Sequence, residues 1–125
     1  MNIPPELKYT KEHEWIRVEG DEIVIGVTDF AQGELGDVVF IEIETQGESL
    51  SKGETFGTIE AVKTVSDLYM PVDGEVLEVN SALEDTPELV NSEPFEGGWM
   101  IRVKMSDPSQ LDDLMSAEAY GALIG

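Results

Sequence analysis

Gly57-Thr58-Ile59-Glu60-Ala61-Val62-Lys63-Thr64-Val65-Ser66-Asp67-Leu68-Tyr69-Met70-Pro71-Val72-Asp73-Gly74 reads as two β-like segments folded about a short turn with a lysine at its tip. Thr55 to Ala61 and Val65 to Met70 flank the lysine, and Pro71-Val72-Asp73-Gly74 supplies the turn residues that end the hairpin. An ε-amine on a tight hairpin is well placed for an enzyme to acylate it. Val62 and Thr64 are small and uncharged, so they would not crowd that enzyme, while Glu60 and Asp67 add acidic context at a distance. An amide there would remove the positive charge and lengthen a flexible four-carbon stem by a cofactor arm. Most turn lysines are only solvated charge, and the chain has five: Lys8, Lys11, Lys52, Lys63 and Lys104. The hairpin by itself therefore points to a group carrier and no further.

Working outward, the pattern stays mostly β. Ile16 and Val18 alternate with Trp15, Arg17 and Glu19, Gly20-Asp21 reads as a turn, and Ile23, Ile25 and Val27 mark the returning strand. Thr28 is placed to cap a short helix through Leu35, closed by Gly36. Val38 to Glu44 is a β-branched strand whose Val39, Ile41 and Ile43 are expected to share a face. Turns follow at Thr45-Gln46-Gly47-Glu48 and Ser51-Lys52-Gly53-Glu54, then a strand at Glu75 to Val79. Residues 81 to 98 form a long connection, of the kind that is functional or packed over a core.

Trp99 to Lys104 alternates again. Asp107-Pro108 reads as an N-cap with proline at N1, Leu111, Leu114 and Met115 are spaced for one helix face, and Ser116 restarts a second helix through Tyr120 and Leu123. Many short strands separated by turn residues predict a small sandwich or barrel. Gly47-Glu48-Ser49-Leu50 and Gly74-Glu75-Val76-Leu77 are alike, a faint sign of two-fold symmetry about the hairpin.

Composition bounds the partners. At 125 residues the expectation is one domain over residues 1–125, burying roughly two-thirds of its unfolded surface. The formal charge of −20, with no basic stripe, repels phosphate backbones and makes nucleic acid a poor partner; it either favours basic docking surfaces or serves only solubility. With no cysteine there is no disulfide, thiolate metal site or protein-borne thiol nucleophile. The start, Met1-Asn2-Ile3-Pro4-Pro5-Glu6, reads as neither signal nor transit peptide, and no apolar run approaches the ~20 residues that span a bilayer. His13, the single histidine, lacks the companions of a zinc site and is read as a packing or hydrogen-bonding residue beside Trp15. Trp99-Met100 reads as core, Asp112-Asp113 and Glu42/Glu44 as solvated faces, and the glycines form no phosphate-binding motif.

Glu60 to Val79 resembles a lipoyl-attachment hairpin, and the flanks resemble the glycine cleavage system H protein family. The likeness rests on Lys8-Tyr9-Thr10-Lys11-Glu12-His13-Glu14-Trp15, Ile25-Gly26-Val27-Thr28-Asp29-Phe30-Ala31-Gln32, Leu35-Gly36-Asp37-Val38-Val39-Phe40, Pro87-Glu88-Leu89-Val90-Asn91-Ser92 and Gly97-Gly98-Trp99-Met100. It covers almost the whole chain, in order. The resemblance implies a mainly β, lipoyl/biotinyl-type flattened barrel-sandwich of short antiparallel strands, with short flanking helices and a C-terminal helical segment.

It also implies lipoate joined to Lys63 by a lipoate-attaching enzyme, in a carrier that catalyses no step itself. A pyridoxal-phosphate glycine decarboxylase (P-protein) would release CO2 and leave an aminomethyl group on one sulfur. An aminomethyltransferase (T-protein) would pass the carbon to tetrahydrofolate and free ammonia, and dihydrolipoamide dehydrogenase (L-protein) would re-oxidise the dithiol. Such a cargo is labile and cationic, so it needs a partly dry cleft with a carboxylate nearby. The matching positions are Glu14 and Asp67, with Glu12 a third candidate at a position where family members vary, many having a small polar residue. A bacterial cytoplasmic location follows, or the mitochondrial matrix for a processed eukaryotic chain.

Three rivals stand beside this reading. A lipoyl domain of a 2-oxo acid dehydrogenase is shorter and lacks both the His-Glu-Trp block and the C-terminal helices. A biotin carrier expects Met on both sides of the lysine, where this chain has Val62 and Thr64. An unmodified acidic interaction domain would use only its surface.

Overall fold

A computed structural model of the chain describes residues 2–125. Among the described residues nine strands form two antiparallel sheets. The strands are β1 (Lys8–Tyr9), β2 (Glu14–Glu19), β3 (Glu22–Val27), β4 (Val38–Glu42), β5 (Ser49–Leu50), β6 (Thr55–Ala61), β7 (Val65–Tyr69), β8 (Gly74–Val79) and β9 (Ile101–Met105). One sheet runs β1-β2-β3-β9-β8-β5, the other β4-β6-β7, and they sandwich the main core without closing into a barrel. Ile16, Ile23, Ile25, Val76, Ile101 and Val103 face Ile41, Phe56, Ile59 and Leu68 across it, all at most 6% exposed. No helix among the described residues is long and apolar enough to cross a membrane.

A second, smaller cluster lies on the far face of β2 and β3, where Trp15 and Val24 meet Leu7, Tyr9 and Tyr120. Both faces of this sheet end are therefore covered, and alternation fails there: neighbours Trp15 and Ile16 are both fully buried, while Val18 at the free end of β2 is exposed. The two similar tetrapeptides turn out to be pairing partners, with Ser49 opposite Glu75 and Leu50 opposite Gly74.

Helix α1 (Asp29–Leu35) forms as its caps require: Thr28 Oγ1 accepts from the Ala31 N–H at 3.2 Å, and the N–H of Gly36 donates to the Gln32 carbonyl at 3.0 Å. In β4 the expected face is corrected. A register shift between Val38 and Phe40 opposite β6 inserts a bulge, so Val38 and Ile41 point inward while Val39 and Phe40 are exposed. The connection 81–98 holds two single-turn helices, α2 (Ala82–Asp85) and α3 (Leu89–Ser92), which press Leu83 and Val90 onto the core.

The C-terminal prediction is half right. Pro108–Asp113 is a 3-10 helix rather than an α-helix, capped by Asp107, whose Oδ1 accepts from the Ser109 N–H. Helix α4 (Ala117–Ile124) then starts at Ser116, whose Oγ accepts from the Ala119 N–H.

Candidate functional site

Lys63 stands at the exposed tip of the β6–β7 hairpin. The Ala61 N–H donates to the Thr64 carbonyl at 2.8 Å, and the Val62 N–H donates to the Asp37 carbonyl at 3.0 Å, which ties the tip to the start of β4. Beside it runs a groove of about 430 Å³, walled by Phe30, Ala31 and Leu35 of α1, Val27, Ile59 and Leu68 of the sheets, and the loop before β2. Its polar lining is Glu12, His13, Glu14, Glu34, Ser66 and Asp67. The structure thus brings Glu12, Glu14 and Asp67 to one groove, though their surroundings differ. Asp67 and Glu12 are exposed at its rim, whereas Glu14 is 2% exposed and is the one buried charged residue among those described.

Glu14 owes its place to a compact turn. The Thr10 N–H donates to the Glu14 carbonyl, the Glu14 N–H donates to Thr10 Oγ1, and the His13 N–H donates to the Thr10 carbonyl. The carboxylate then reaches across to β7, where Oε2 accepts from the Tyr69 N–H at 2.7 Å. Burial raises its pKa from 4.5 to about 8; the Tyr69 N–H opposes the shift, nearby Glu12 adds to it, and the Thr10 hydroxyl opposes it. With that shift the carboxyl holds its proton at neutral pH in the folded protein. On the other side of Glu14 and Glu12 lies a second groove of about 560 Å³, lined by Tyr69, Met70, Pro71, Leu114 and Met115 with Lys11 and Lys52.

His13 takes the packing and hydrogen-bonding role expected of it, but with Phe30 and Tyr120 rather than beside Trp15. It lines the groove with φ of 68°, the single non-glycine residue described with positive φ. Its Nδ1 lies 3.0 Å from the Tyr120 hydroxyl, which lies 2.7 Å from Thr28 Oγ1, and its ring packs on Phe30 rather than on Trp15. The C-terminal helix thereby braces the groove wall. No local signal marks this, because Tyr120 is 107 residues from His13. Asn91 and Gly36, beneath the hairpin, were likewise not singled out as site residues. Among the described residues no three His, Asp or Glu side chains gather to hold a metal.

Residues 7–125 match the family model described as Glycine cleavage H-protein. A protein of Staphylococcus saprophyticus named glycine cleavage system H protein is 57% identical over 125 residues, covering 100% of this chain and 99% of its own length. One of the same name from Bacteroides thetaiotaomicron is 60% identical over 124 residues, 99% of this chain and 98% of the relative. The crystal structure of a glycine cleavage system H protein from Mycobacterium marinum superposes with a TM-score of 0.90 at 36% identity, covering 98% of this chain and 99% of that one.

Proposed function

The chain belongs to the glycine cleavage H-protein family, and from that membership we propose that Lys63 is its lipoyl acceptor and the groove beside it the shelter for the loaded arm. As a member it is a lipoyl carrier of the glycine cleavage system, not an enzyme. The observation that carries the finer reading is a juxtaposition. An exposed lysine on a hairpin tip stands next to an apolar groove holding one dry carboxyl.

The residues suit the group. Phe30, Leu35, Ile59 and Leu68 offer an apolar bed for its hydrocarbon chain, and Glu14, Glu12 and Asp67 offer charge for a cationic amine. When bound, lipoate supplies a dithiolane whose sulfur carries the one-carbon amine. The chain's own residues do the rest. The apolar walls exclude water, and Glu14 gives up its proton to face an incoming cation, an ion pair strengthened by the low local dielectric. The proposal extends to glycine decarboxylase, aminomethyltransferase, dihydrolipoamide dehydrogenase and a lipoate-attaching enzyme as partners, and to the cytoplasm as location. It treats residues 1–125 as one carrier domain, because β2 and β3 contribute to both hydrophobic clusters.

Intact mass of protein from its native host tests the attachment. A lipoyl increment is expected, and it should vanish in Lys63→Arg; a biotin increment or an unshifted mass defeats the assignment. For the shelter, the pair Glu14→Gln and Asp67→Asn should hasten decay of the loaded protein. An unchanged decay rate refutes that part.

A further inference from the structure

Asn91 is placed as a bolt under the modification site. Its Oδ1 accepts from the Val38 N–H at 2.8 Å, and its Nδ2 donates to the Gly36 carbonyl at 2.8 Å and to Gln32 Oε1 at 3.1 Å. One side chain from α3 thus holds the strap Gly36–Val38, which joins the end of α1 to β4. The hairpin rests on the other side of that strap, through the Val62 N–H and the Asp37 carbonyl.

Gly36 makes the strap a notch. Its φ of 80° lies in the left-handed region, and no side chain rises from it. The Lys63 stem lies alongside that bare position: a β-carbon built on Gly36 would sit 3.4 Å from Lys63 Cε and 3.9 Å from both Cδ and Nζ, ordinary contact distances. Among the described residues no carboxylate forms an ion pair with this lysine, whose stem runs past Gly36. Gly36 directly follows Leu35, which lines the groove.

We infer that Asn91 is a positioning residue: by fixing the Gly36–Val38 strap it keeps the Lys63 stem laid over Gly36 and so starts the carried arm toward the groove. The inference rests on Lys63 being the modified residue. Its physical content is entropic. A lysine stem free in solvent samples many rotamers, and a stem already confined leaves less disorder to lose when the arm docks.

Side-chain NMR on protein carrying ¹³C-labelled lysine reads the confinement without reference to turnover. In the unmodified wild type the Lys63 Cε methylene should be more restrained than that of exposed Lys104. In Asn91→Asp, which keeps the acceptor for Val38 and removes both donors, the restraint on Lys63 should fall to the Lys104 level, with Ile59 and Val90 methyl signals unmoved. On protein acylated at Lys63 with ¹³C-octanoate, nuclear Overhauser effects from the chain to Phe30 and Leu35 should weaken in the same variant.

A wild-type Lys63 as mobile as Lys104 overturns the inference even if the variant fails to fold, and so does unchanged restraint in a folded Asn91→Asp. Lipoylation of Lys63 with no such restraint sinks this inference alone. A stem restrained through Asn91 on a lysine that is never lipoylated sinks the functional reading, and the carried arm with it, while the positioning of the stem stands.

Discussion

Replacing Glu14 by glutamine should stabilise the protein, by an amount that grows with pH. In the unfolded chain Glu14 loses its proton near 4.5, and in the folded protein near 8. Between those values the folded state binds more protons than the unfolded one, so this group makes stability fall as pH rises. Below 4.5 it costs nothing. At pH 7 the 2.5 units above 4.5, at 1.36 kcal/mol each, give a penalty of about 3 kcal/mol. Above pH 8 the penalty levels off at about 4–5 kcal/mol. Glutamine keeps the shape and can still accept from the Tyr69 N–H, so little of this should be lost to a missing hydrogen bond.

Guanidinium unfolding of both proteins from pH 4.5 to 9 measures the difference. The many other acids titrate in both and cancel. Curves that converge near pH 4.5 and diverge by about 3 kcal/mol at pH 7 are expected. A difference that is constant across the range would refute the claim that Glu14 is buried with its proton. The same variant should then shelter a cationic cargo poorly, so stability gained and function lost share one cause.

Two further substitutions test how the groove is braced. Tyr120→Phe removes the hydroxyl between His13 and Thr28; it should cost about 1–2 kcal/mol in denaturant unfolding and speed amide exchange in helix α4, and unchanged exchange would show that the helix does not depend on this contact. Gly74→Ala would place a β-carbon 2.5 Å from Val103 Cγ1 and 2.6 Å from the Lys104 carbonyl. With backbone as one of the obstacles, a loss of about 2–3 kcal/mol is expected, and a neutral effect would mean that β8 and β9 separate easily.

What the sequence disclosed was local. The hairpin, the Thr28 and Ser116 caps and the closing role of Gly36 depend on residues within a few positions of one another, and each formed as read. The bulge that turned Val39 outward depends on register against β6, which periodicity within β4 cannot report. The Asp107-Pro108 start was legible, but the choice of a 3-10 over an α-helix was not, since both share that cap. At the site, family motifs reached Lys63, Glu14 and Asp67. His13 and Asn91 were missed as contributors because their partners lie 107 and 53 residues away. A left-handed histidine carries no mark in the sequence either, since histidine adopts that conformation only where its surroundings impose it.

The acidity read from composition separates into two devices. The chain has 27 acidic residues, yet Glu14 is the one buried carboxyl among those described. The exposed acids supply a broad field that favours basic partners. Glu14 differs because it is buried: a cation beside it would replace the missing solvation and draw its pKa down. If the groove shelters a cationic arm, Glu14 is the lining group whose charge would answer to the cargo, set among the exposed acids Glu12 and Asp67.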